Sequence, residues 1–344
     1  MWPEHAEGSE AWPGEVDALM KTISRFGRLL QLSLLVLLVV VIACGALFYL
    51  QPLWVADQVI RWRLQEHGVK SHYVEVGGYR VHYLEALPRG GGGGTPLVLI
   101  HGLGSRAEDW GPMIPGLAAA GFHVYAPDLL GYGRSPRPNV DYSIGLQEGL
   151  VVRFMQTMRL STADVGGWSM GGWVAAKLAL DHPELVQRLV IYDSAGIYFP
   201  ATFDASLFIP ADEGELFRLT EMLDPNPKHL PPFVARAAIR KLQRNGWIIR
   251  RAVGSMTNGR DLLDFRLAGL DRPTLIVWGS KDVLIPLSVG ETMHRLIPHS
   301  SIDVIQGCGH LAPGQCANAA LEGTVDFLNA PQPVDGIERI LSGH

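Results

Sequence analysis

Short, uninterrupted apolar runs that each break off into a polar or glycine-rich loop restrict this chain more than any other feature. Pro96, Leu97, Val98, Leu99 and Ile100 form such a run, with no polar side chain to face water, as a strand buried on both faces requires. Segments 124–126, 164–168, 189–192, 275–278 and 302–305 read as further strands. The spacing predicts helices over 113–120, 144–159 and 172–180 between them. Strands alternating with helices imply a mainly parallel sheet covered by helices on both faces. Two more strands, 73–76 and 79–84, precede this pattern as a hairpin around Gly77 and Gly78. The glycines at 90–94 make a flexible surface loop, because no phosphate-loop lysine follows them.

The alternation lapses between 196 and 264. That stretch holds Pro200, Pro210, Pro225, Pro227, Pro231 and Pro232 and one helical segment, 233–243. It reads as a mostly helical cap, 197–264, inserted into a core of 73–196 and 265–330, with a C-terminal tail over 331–344. At 47% hydrophobic and 18% charged residues, the chain has enough apolar content to bury such a core.

Ahead of the core, residues 29–50 are apolar or small except Gln31 and Ser33, long enough for a transmembrane helix. Tyr49 and Trp54 flank its far end as interfacial aromatics do, and Pro52 stops it. An N-terminal tail, 1–28, precedes it, and an amphipathic connector, 51–72, follows. A cleaved signal peptide has a shorter apolar region. Val41, Ile42, Ala43 and Cys44 resemble a bacterial lipoprotein cleavage box, so a lipoprotein anchored at Cys44 is the alternative, although apolar sequence continues beyond it. Lys21, Arg25 and Arg28 lie closer to the span than Arg61, Arg63 and Lys70, which favours placing the domain that follows the span outside the cytoplasm.

A formal net charge of -5 with no basic face argues against nucleic acid as a partner. The three cysteines give no disulfide framework and no zinc-site spacing, so no metal is expected. Cys308 and Cys316 could pair in an oxidising compartment, but their separation does not establish the geometry.

Gly167, Trp168, Ser169, Met170 and Gly171 form a G-x-S-x-G pentapeptide between a strand and an alanine-rich helix. A sharp turn there would expose the serine hydroxyl, and small residues two positions either side relieve the crowding. Taken alone, the pattern also fits a serine helix cap, the lesser of the two readings. An unassisted hydroxyl is a poor nucleophile, so a base and an orienting carboxylate are needed. Asp282 follows the strand ending at Trp278, and His310 follows the last strand. Each candidate therefore lies at a strand's carboxyl end, where open α/β sheets gather their sites. Asp193 is a rival acid on the same ground.

In these three motifs and their order the chain resembles the α/β-hydrolase family, from about 73 to 328. The resemblance implies Ser169 as nucleophile, His310 as general base and acid, and Asp282 as the group that orients it. It implies an oxyanion hole from the backbone N–H groups of Leu103 and Met170, and no cofactor. Serine at 169 separates the chain from the dehalogenase and epoxide hydrolase branches, whose nucleophile is aspartate. His101 reads as a histidine that fixes its loop, and His82, His123 and His294 as structural or surface residues. Trp168 and Trp173 are candidates for a substrate pocket. The implied function is cleavage of carboxylic esters through an acyl-enzyme, on a small-molecule or lipid ester substrate, in an arrangement similar to membrane-anchored monoacylglycerol lipases. The alternatives are a carbon-carbon bond hydrolase and a ligand-binding sensor on the same scaffold.

Overall fold

The structure is a computed structural model that describes residues 13–91, 93–201, 204–333 and 335–343. Parts of the predicted N-terminal tail (1–12), glycine loop (92), cap (202–203) and C-terminal tail (334 and 344) lie outside the described residues. The chain divides after Val55 into two compact units.

The first holds α1 (Pro13–Leu50), a single helix of 38 residues, about 57 Å long at the standard rise. It starts well before the predicted residue 29, because 13–28 hold strong helix formers and an Asp17–Lys21 pair one turn apart at 3.6 Å. Its large apolar side chains from Leu29 to Leu50 are exposed. It is long and apolar enough to cross a membrane. The helix α2 (Pro52–Glu66) follows after Gln51 and carries the chain into the second unit.

The elements after it, in chain order, are β1 (Lys70–Val76), β2 (Tyr79–Ala86), β3 (Thr95–Ile100), α3 (Ile114–Ala119), β4 (Phe122–Pro127), α4 (Ile144–Thr157), β5 (Ala163–Trp168), α5 (Met170–Asp181), β6 (Val186–Tyr192), α6 (Glu213–Leu223), α7 (Pro232–Arg244), α8 (Gly246–Met256), β7 (Thr274–Gly279), α9 (Leu287–Leu296), β8 (Ser300–Gln306), α10 (Ala312–Gln315), α11 (Ala317–Asn329) and β9 (Glu338–Ser342). They build a nine-stranded sheet in the order β1-β2-β4-β3-β5-β6-β7-β8-β9. The pairs β1–β2 and β2–β4 are antiparallel, and all others are parallel. Strand order reverses between β3 and β5, which opens a crevice at their carboxyl ends.

The double-sided burial read from the sequence is literal in β3. Leu97 and Leu99 pack with α3 and α11, while Val98 and Ile100 pack with α4 and α5, and all four are fully buried. Each such side chain contributes about 1.5–3 kcal/mol relative to exposure. The insertion between β6 and β7 carries α6, α7 and α8.

Two stretches outside the predicted strands join the sheet. Lys70 to His72 belong to β1 rather than to the connector, since they pair with Glu85, Leu84 and Tyr83. The predicted C-terminal tail supplies β9, which runs parallel to β8. A bidentate contact from the Arg339 guanidinium to the buried Asp303 carboxylate, at 2.6 and 2.7 Å, ties the two strands together.

Candidate active site

Where β5 turns into α5, Ser169 adopts φ 57 and ψ −122, a left-handed conformation rare for any residue with a side chain. The turn is tight enough that a Cβ on Gly167 would strike the backbone of Gly171, and one on Gly171 the carbonyls of Ile100 and His101. The glycine pattern is thus a packing requirement of the turn. Its result is a serine hydroxyl held clear of the helix it precedes.

His310 lies after β8, with Nε2 2.9 Å from the Ser169 hydroxyl and Nδ1 2.8 Å from the Asp282 carboxylate. The other Asp282 oxygen accepts the N–H groups of Leu284 and Ile285, both at 2.9 Å, which fixes the carboxylate's orientation. An Nδ1–H donated to Asp282 leaves Nε2 free to accept the serine proton. Burial alone would lower the His310 pKa, but the Asp282 carboxylate, through charge and hydrogen bond, carries it above the ordinary imidazole value.

Asp193, the rival acid, sits at the end of β6 and does not reach the imidazole by a hydrogen bond. Its carboxyl accepts the N–H groups of Gly279 at 2.8 Å and Ala312 at 3.3 Å, bracing the loops that carry Asp282 and His310. Complete burial, and then the neighbouring Asp282 charge, push its pKa far above the usual carboxylate range.

Leu103 lines the cavity over Ser169, and Met170 opens α5, where an N–H has no acceptor within the helix. His101 is fully buried, accepts the Leu129 N–H at Nε2 and donates from Nδ1 to the Gly102 carbonyl. Burial holds its pKa below the usual value, so it is a neutral brace for the loop. The sequence reading overlooked Asp128, which the same loops require: its carboxylate accepts the Ala107 and Arg134 N–H groups and binds His82 Nδ1 at 2.6 Å. Its position just past β4, at the sheet's carboxyl edge, was the available signal.

His82 Nε2 in turn lies 3.0 Å from the Ser71 hydroxyl, so Ser71, His82 and Asp128 repeat the serine-histidine-aspartate connectivity. The likeness stops there. Ser71 is on β1, its hydroxyl accepts a hydrogen bond from Arg134, and it does not line the cavity over Ser169.

The cavity above Ser169 measures about 850 Å³ and is walled by apolar side chains of the insertion, among them Phe208, Leu219, Leu242, Ile249 and Val253. Trp168 and Trp173 both line it. Trp173 Nε1 donates to the Asp261 carbonyl at 2.7 Å, and Trp168 Nε1 to the His310 carbonyl at 2.8 Å. Among the described residues that line it there is no lysine or arginine. Cys308 and Cys316 are joined as a disulfide, with Cα atoms 6.2 Å apart, so the loop bearing His310 is closed covalently. Among the described residues no cluster of three or more His, Cys, Asp or Glu side chains could hold a metal ion.

A sheet with this switch point and a strained serine at it define a class of fold. Residues 95–258 match the family described as alpha/beta hydrolase fold. The chain is 30% identical over 233 residues to a 2-hydroxymuconate semialdehyde hydrolase of Pseudomonas sp. (strain CF600), covering 64% of this chain and 81% of that one. It is 29% identical over 252 residues to Lipase 1 of Psychrobacter immobilis, covering 69% and 76%. In three dimensions it resembles the crystal structure of a membrane phospholipase A, with TM-score 0.71, 24% identity, and coverage of 87% of this chain and 100% of that one. The chain belongs to the α/β-hydrolase fold family, and it is a hydrolase.

Proposed function

We propose that this protein is a serine hydrolase that cleaves carboxylic esters of lipids through an acyl-enzyme while α1 holds it in a membrane. The observation that carries the reading is the hydrogen-bonded series Ser169, His310, Asp282 opening into a large apolar cavity. In the first half-reaction His310 Nε2 takes the Ser169 proton as the oxygen attacks the ester carbonyl, and the negative oxygen is held by the Leu103 and Met170 N–H groups. The imidazolium then protonates the departing alkoxide. Water, deprotonated by the same imidazole, cleaves the acyl-serine in the second half-reaction and releases the carboxylic acid.

The relatives include a 2-hydroxymuconate semialdehyde hydrolase and a 2-hydroxy-6-oxo-6-phenylhexa-2,4-dienoate hydrolase as well as lipases, so carbon-carbon bond cleavage is the competing reading. Those names denote carboxylate substrates. A cavity wall with no lysine or arginine among its described residues offers such an anion no cationic partner, which favours a neutral ester. The disulfide supports a catalytic unit outside the cytoplasm, because such bonds persist in oxidising compartments.

The test is hydrolysis of p-nitrophenyl esters and monoacylglycerols of graded chain length by detergent-solubilised protein, with fluorophosphonate labelling alongside. Ser169→Ala is expected to abolish both turnover and labelling, whereas Ser71→Ala keeps both. Labelling that survives Ser169→Ala, or native protein that turns over only dienoates, defeats the reading.

A further inference from the structure

A second cavity, of about 740 Å³, adjoins the first. Its wall comes from α2 (Ile60, Leu64), from Pro112 and from Pro313 and Gly314 beyond the catalytic histidine. Trp168, Leu311 and Asp109 line both cavities. The divide is therefore a ridge made by the residue before Ser169 and the residue after His310, pinned by the Trp168–His310 hydrogen bond at 2.8 Å.

We propose that this second cavity is the subsite for the second hydrocarbon chain of a two-chain ester lipid. The lipid straddles the Trp168–Leu311 ridge with its scissile carbonyl over Ser169, one chain under the insertion and the other against α2. This rests on the lipid-esterase reading above and narrows it to two-chain substrates. Three observations carry it. Both cavities fall in the size range of built ligand sites, about 300–1,000 Å³. Leu64 and Pro313 are buried in the second cavity while Arg63 and His67 are exposed, and the one buried charge among the described residues of its wall, Glu108, is ion-paired with Arg106 and Arg134, so an alkyl chain meets a mainly apolar inner wall with a polar solvent side. Ile60 follows the end of the apolar helix by ten residues of sequence, and α2 exposes Val59, Ile60 and Trp62 between charged residues, the pattern of an interfacial helix. A protein segment is a poorer occupant, because the cavity shares Trp168 and Leu311, the neighbours of Ser169 and His310, with the cavity that holds the reacting groups.

Gly314 offers a clean test. A Cβ there meets nothing within 4 Å, and its backbone is not in the left-handed region, so a larger side chain projects into open space. With full-length, detergent-solubilised protein, kcat/KM is measured for a 1,2-diacylglycerol and for the 1-monoacylglycerol with the same acyl chain, and the ratio is taken within each variant. Fluorophosphonate labelling of Ser169 reports folding.

Gly314→Phe is expected to lower the diacyl-to-monoacyl ratio by about tenfold or more, the scale of a steric pocket discrimination, and Gly314→Ala by much less. Ile60→Trp, from the opposite wall, reads out the same ratio should Gly314→Phe fail to label. An unchanged ratio in a variant that still labels overturns the proposal, as does native protein that hydrolyses monoacylglycerol but not diacylglycerol. Hydrolysis of neither by native protein overturns the lipid-esterase reading, and the subsite with it.

Discussion

Two buried aspartates, at the ends of the neighbouring strands β6 and β7, divide the electrostatic work of the site. Asp282 touches the imidazole and Asp193 touches only backbone N–H groups. Asp282→Asn should therefore cut kcat by about ten-thousandfold, because the amide stabilises the wrong tautomer. Asp193→Asn resembles the neutral acid that burial already favours, so it should keep activity within about tenfold, the cost of one weakened hydrogen bond. The pH profile follows from the same pair. Protonated His310 cannot accept the serine proton, so kcat/KM falls as pH drops through its raised pKa, and the acid limb should have its midpoint above about 6.5. Loss of the Asp282 charge moves that limb to lower pH, and equal limbs in native and Asp282→Asn protein would contradict this account. Both aspartates follow a strand, so their sequence positions look alike. What separates them is which carboxylate faces the ring, a property of chain segments more than a hundred residues from Ser169 in the case of Asp282.

Among the elements, the loop from β8 to α11 is where covalent and non-covalent restraint meet. Cys308 and Cys316 bracket His310 with eight residues of separation, and Asp193, Trp168 and the Leu223 carbonyl each grip the same stretch. Replacing both cysteines by alanine should cost about 2–3 kcal/mol by the loop-closure estimate, lower Tm and reduce kcat with little change in KM. Calorimetry with non-reducing mass spectrometry checks this, and native protein carrying two free thiols with the variant's Tm would refute it. The element types were largely legible: continuous apolar runs gave away β3 and β7, and alanine content α5. The edge strand β9 was not legible. Five residues with three polar side chains carry little pattern, and Arg339 finds Asp303 only once β8 is in place.

For the whole molecule, the consequential feature is a long, exposed apolar helix joined to a catalytic unit with its own core. Residues 29–50 span about 33 Å as helix, matching a hydrocarbon thickness of about 30 Å. The full chain should stay with membranes through alkaline carbonate and high salt and leave them only in detergent. Release by carbonate would mean that α1 does not span, and mature protein beginning at Cys44 would point to the lipoprotein alternative. Local sequence determined the parts of this protein whose physics is local: apolar runs too long or too continuous to face water, and glycines that let one serine sit in a strained turn. Tertiary structure alone decided which carboxylate meets His310, that two cysteines lie close enough to join, and that a second cavity backs onto the first across Trp168. Each of these depends on distances between segments far apart in the chain, and such distances exist only after the sheet has ordered its strands.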